Sequence, residues 1–176
     1  MNPILLTLIA ASLVLSGCTR SMPHHADPSA PVGQAAFAAL SEVVAQLQAD
    51  PATDWSKVNI DALRAHLLDM HKVTMRAQVS REKVDRGVVF TVTGGASTAR
   101  SIQRMTRAHA ATLAHESNWS MDVEALENGA RVQVQVRDDA TLERVQALGF
   151  FGLMTIGTHH HMHHLAMASG QDPHRH

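Results

Sequence analysis

Thr158-His159-His160-His161-Met162-His163-His164 concentrates five imidazoles and a thioether in one short stretch. On a helix, His159 and His163 share a face, as do His160 and His164, because residues four apart are neighbours across one turn. Two imidazoles at that spacing can both reach one metal ion. Met162 adds a soft sulfur, which favours Cu(I) over harder ions. The competing readings are a solvated polar helix end and a loose metal-sequestering tract.

Two further pairs carry the same chemistry. His66 and Met70 are four residues apart, and so are Met105 and His109. If their two helices lie side by side on a sheet, the pairs meet, and a His2Met2 set suits copper in either oxidation state. The opposing reading makes Met70 and Met105 fillers of the core and the histidines hydrogen-bonded interior residues. His71 and Met75 form a third pair, off the apolar stripe and therefore read as surface. Asp69 is a candidate to orient a ligating histidine. The metal expected on these grounds is copper first, with zinc or nickel next.

Other chemistries find less support. His115-Glu116 begins a zinc-protease motif, but position 119 is Trp, so the second histidine is missing. No serine sits in a nucleophile elbow. Thr93-Gly94-Gly95 lacks the lysine of a phosphate loop and reads as a turn, with Ser97 or Thr98 capping the next helix. An enzyme is not expected. The remaining enzymatic alternative is a metal-dependent hydrolase or oxidase with Asp69 or Glu116 as acid or base. The formal net charge of −1 gives no reason to expect nucleic acid as a partner. Arg100, Arg104 and Arg107 run along one predicted helix with no matching acids, as a solvated face or towards an anionic partner.

Residues 1–17 read as an export signal, with an apolar run from Ile4 to Leu15 that is too short to span a bilayer. Leu15-Ser16-Gly17-Cys18 resembles the lipobox of bacterial lipoproteins. The resemblance implies cleavage before Cys18, lipid on that cysteine, and a membrane-anchored chain facing the periplasm. Thr19, rather than Asp, after the cysteine implies the outer membrane over the inner. Cys18 is the single cysteine, so no internal disulfide can form. Residues 18–34, with Pro23, Pro28 and Pro31, read as a flexible linker.

These side chains need elements to position them. Phe37, Leu40, Val44 and Leu47 predict a helix over 35–48, and Asn59 caps a second that runs to about Ala77. Strands are expected near 78–84 and 88–93 around Asp85-Arg86-Gly87. A third helix is expected near 98–116. Strands near 119–126 and 130–137 surround Asn128-Gly129, a hairpin turn whose residues tolerate positive φ. A last helix starts near Asp138 and continues towards Met167, with a kink allowed at Gly149, Gly152 or Gly157. The fold class is α+β: a small two-layer sandwich, α-ββ-α-ββ-α, with a four-stranded antiparallel sheet covered by helices. The domain is placed at 35–168, with a His-containing tail over 169–176 that frays. Arg64-Ala65-His66 recurs as Arg107-Ala108-His109, 43 residues later, and Gly87 recurs as Gly129 after 42. Either an internal repeat or two similar units aligned by chance accounts for this.

Two functions fit. One is a membrane-anchored lipoprotein that binds a transition metal. The other is an envelope protein that docks a protein partner, motivated by the apolar stretch Leu148 to Ile156.

Overall fold

Asn59 starts the second helix by accepting the Ala62 amide on its side chain at 3.0 Å, which satisfies one of the open amides at a helix start. In this computed structural model, residues 32–116, 119–157 and 160–171 are described. The first helix, α1, spans Val32–Ala49, and α2 spans Ile60–Arg76. The hairpin β1 (Gln78–Val84) and β2 (Gly87–Thr93) follows. Then come α3 (Ala96–Glu116), β3 (Trp119–Leu126) and β4 (Gly129–Val136), and finally α4 (Asp139–Leu153) and α5 (His160–Ala168). The strands form one antiparallel sheet in the order β1-β2-β4-β3. The fold is α+β, as the hydrophobic periods predict.

Both hairpins share one register. Gln78 pairs with Thr93 in the first, and Ser120 with Gln135 in the second, 42 residues on at each position. The hairpins join back to back through β2 and β4, with Gly87 opposite Gln135 and Gly129 opposite Thr93. A Cβ on Gly129 would run into the Val92 carbonyl, and one on Gly87 into the Val134 carbonyl. These glycines permit close strand approach. Positive φ does not account for them: neither Asn128 nor Gly129 adopts it, and at the first turn Arg86 does, at 51°. A side chain there costs roughly 1–2 kcal/mol. Two contacts hold it: the Val136 amide donates to the Arg86 carbonyl at 2.9 Å, and the Arg86 guanidinium donates to the Arg137 carbonyl.

The main core lies on one face of the sheet. Val88, Phe90 and Val92 of β2 and Val132, Val134 and Val136 of β4 alternate inward, against Ile102 of α3 and Val145, Phe150 and Leu153 of α4. Thus α3 and α4 cover the sheet. Helix α2 stacks on α3, and with α1 and α5 it forms a further tier around Val43, Leu47, Leu63 and Ala168. Helix α2 therefore meets the sheet core only through its end, at Val73, and the condition for the two His-Met pairs to meet on the strands is not fulfilled. Edge strand β1 stays exposed, and its Arg81, Glu82 and Lys83 discourage pairing with another strand.

Three boundaries differ from expectation. Helix α1 begins at Val32, inside the predicted linker. The last helix is two, because the chain leaves α4 after Leu153 and α5 starts at His160; within α4 the kink allowed at Gly149 is present, at φ 60° and ψ −172°, a conformation essentially reserved for glycine. Residues 169–171 are ordered rather than frayed. The Gln171 amide donates to the Ala166 carbonyl and the Gly170 amide to Met167, with Gly170 at φ 75°, a Schellman stop. Residues 172–176 lie outside the described set, as do 1–31.

Candidate metal-binding cluster

The centre of interest forms where α2 meets α5. Leu63 and Leu67 of α2 pack with Leu165 and Ala168 of α5, and the Asn59 amide donates to the Ala168 carbonyl at 2.7 Å. This seats the N-terminal half of α5 over His66. The His66 ring lies 5.0 Å from that of His163 and 5.5 Å from that of His164, centroid to centroid. His163 and His164 are 6.2 Å apart. His66 and His163 are half-buried, and His164 is 8% exposed.

That spacing has a chemical meaning. Imidazoles bound to one tetrahedral ion, at about 2.0–2.1 Å per metal–nitrogen bond, hold their centroids about 5 Å apart. The two His66 distances match this value, and the third exceeds it. Among the described residues, no three His, Cys, Asp or Glu side chains are arranged to hold an ion. Coordination here requires ring rotation or a further ligand.

The other candidates are placed differently. His109 is buried, and its Nε2 sits 2.8 Å from the Leu153 carbonyl. A carbonyl only accepts, so Nε2 carries the proton there and is not a ligand nitrogen. Met105 packs against the sheet core. Met70 is half-buried on α2. Met162 is 67% exposed on α5. The structure brings His66 to the tract and gives His109 a task between α3 and α4. His160 and His161 belong to α5, but their side chains lie outside the described set. So do His159, Cys18 and the side chains of His115 and Glu116. Met75, of the third pair, is 61% exposed, on the surface as its place off the stripe implies.

Asp69 orients no histidine. Its carboxylate accepts the Ser101 hydroxyl at 2.7 Å and the Arg104 guanidinium at 2.7–3.0 Å. Arg104 therefore finds its acid on α2. Nor do Ser97 and Thr98 cap α3: the helix already includes both, and Thr98 is buried.

Comparison with protein-family models, with curated proteins and with solved structures finds no match.

A concavity of about 370 Å³ lies between the α1–α2 connection and the end of α5. Its charges are spent locally. Hydrogen bonds from Ser56 and Lys57 lower the Asp54 carboxyl to about 2. Lys57 Nζ is 2.9 Å from that carboxylate. No helix among the described residues is long and apolar enough to cross a membrane.

Proposed function

We propose that the chain is a lipoprotein, anchored through Cys18, that binds a transition metal at the α2–α5 histidine cluster. The protein is a binder rather than an enzyme. The observation that carries the reading is the meeting of His66 with His163 and His164, three imidazoles from sequence positions about a hundred residues apart. Met162 and Met70 on the same two helices favour copper, with zinc or nickel next. The lipobox-like Leu15-Ser16-Gly17-Cys18 supports a periplasmic address, at the outer membrane rather than the inner.

The test is titration of the compact unit Pro31–His176 with Cu(I), Cu(II) and Zn(II). The wild type binds one ion tighter than about micromolar. His66→Ala loses at least about tenfold in affinity, although it leaves the whole tract intact. Unchanged affinity in His66→Ala would reduce the site to a chelating run on α5. No binding by the wild type would end the reading.

Docking of a protein partner is the second reading. The apolar stretch that motivates it is mostly consumed by the core, through Phe150, Leu153, Met154 and Ile156. Leu148 and Phe151, 37% and 42% exposed, are what remains for a partner.

A further inference from the structure

Helices α2 and α3 run antiparallel, with Asp69 joined to Ser101 and Arg104 and the end of α2 beside Gly94. On α3, Ala99, Ile102, Thr106, His109 and Leu113 are buried. The 3.6-residue period puts Arg100, Arg104 and Arg107 on the side away from the sheet, and all three are exposed. On α2 the outward stripe is Arg64, Leu68, Lys72 and Met75, followed by Arg76. Leu68 is 42% and Met75 61% exposed. Asp61 and Asp69 are the carboxylates of the two helices as far as Leu113, and Asp69 is committed to Arg104.

The opposite side of the molecule has the other sign. The outer face of the sheet carries Glu82, Asp122 and Glu124 against the single base Arg131, which lies 4.0 Å from Glu124, as their register with Val89 and Gln133 places them. A chain whose formal charge is −1 overall is thus polarised, basic on the α2–α3 face and acidic on the outer face of the sheet. Cations interleaved with exposed apolar side chains along one helical face are what an interfacial membrane contact requires. The charges meet anionic headgroups, and Leu and Met enter the acyl boundary.

We propose that the α2–α3 face is a docking surface for the anionic phospholipid headgroups of a bilayer. The occupant follows from charge complementarity and from reach. It rests on the Cys18 anchor proposed above: residues 19–31 extend to at most about 45 Å, so the domain stays beside the membrane that holds it. Docking orients the domain with the acidic sheet face outward.

The experiment is co-sedimentation of the unacylated unit Pro31–His176 with phosphatidylcholine vesicles, with and without about 30% phosphatidylglycerol, at pH 8 in the presence of chelator. Metal is absent there, and pH 8 lies above the ordinary imidazole range, so the result is independent of the metal reading. It is equally independent of whether Cys18 is acylated. The expected result is binding to the anionic vesicles alone, weakened about tenfold between about 0.05 and 0.5 M salt. Arg100→Glu with Arg107→Glu, both fully outward, removes binding. Arg131→Glu, on the opposite face, leaves it unchanged. Leu68→Ser with Met75→Ser weakens it several-fold. Circular dichroism checks each variant, and Arg100→Gln with Arg107→Gln replaces the reversal if that pair fails to fold. Equal binding to both vesicle types, retention by the arginine variant, or an equal loss in Arg131→Glu would overturn the proposal. So would no binding at low salt.

Discussion

Arg104 of α3 reaches back 35 residues to close on Asp69 of α2, with Nη2 2.7 Å and Nε 3.0 Å from the same carboxylate oxygen. Ser101 donates to the other oxygen at 2.7 Å. This is the polar seam between a helix on the sheet and a helix one tier above it.

Removing the seam's acid is expected to loosen α2. Asp69→Ala costs about 2 kcal/mol in urea unfolding, below the roughly 3–5 of a fully buried pair because the Arg104 side chain is 59% exposed. Asp69→Asn keeps an acceptor for Ser101 and costs about half as much. Equal stability of wild type and Asp69→Ala would show the pair to be ornamental.

A glycine of the β2–β4 seam and one outside it give a second expectation. Gly129→Ala drives a methyl into the Val92 carbonyl and destabilises by about 2–3 kcal/mol. Gly95→Ala meets nothing within 4 Å and changes stability by less than about 0.5 kcal/mol. Thermal melts of the pair distinguish close approach from simple turn flexibility, which predicts no such contrast.

Adjacent phenylalanines are predicted to behave oppositely. Phe150 is 3% exposed and stacks edge-on against Phe151, which is 42% exposed. Phe150→Ala costs about 3–5 kcal/mol. Phe151→Ser changes stability by no more than about 1 kcal/mol. If Phe151→Ser also abolishes co-purification of an envelope protein, the partner-docking reading gains what it now lacks.

Acid weakens two local structures. Hydrogen bonds from the Thr141 amide and hydroxyl lower the Asp138 carboxyl at the start of α4. The Asp54 carboxyl, bonded by Ser56 and Lys57, falls to about 2. A carboxyl lowered by folding stabilises fully above its unfolded value. That stability is lost as pH falls through the folded one. The contribution of Asp54 is therefore complete above about pH 4 and fades towards pH 2. Urea midpoints measured from pH 6 to 2 are expected to drop less steeply in Asp54→Asn and Asp138→Asn than in wild type.

The elements were readable because their apolar periods are clean: Val88, Phe90 and Val92 alternate, and so do Val132, Val134 and Val136. The stacking of α2 on α3 was not, since an Asp and an Arg 35 residues apart leave no local trace of their pairing. His66 stands out by its spacing from Met70, while the rings that meet it, His163 and His164, come from α5. The short match Arg64-Ala65-His66 with Arg107-Ala108-His109 suggested two equivalent histidines. They are inequivalent because α3 lies along the strands, whereas α2 packs mainly on helices and reaches the sheet core only with Val73. The apolar positions Leu63, Leu67, Leu165 and Ala168 carry the packing of α5 on α2, in a core they share with Val43 and Leu47 of α1.

The order β1-β2-β4-β3 also sets how the chain reaches this state. Each hairpin closes across a two-residue turn, and such closures take about 1–10 μs. The central seam is different. Val88 must find Val134 and Phe90 must find Val132, with α3 and β3 between them in the chain. Ring closure over that length is entropically unfavourable until the valines and Phe90 are covered, so joining the two hairpins is the slow event. Before it happens, β2 and β4 are open edges rich in valine, whereas β1 bears Arg81, Glu82 and Lys83. Aggregation risk is thus greatest in the unjoined halves, and the finished sheet hides its stickiest strands at the centre.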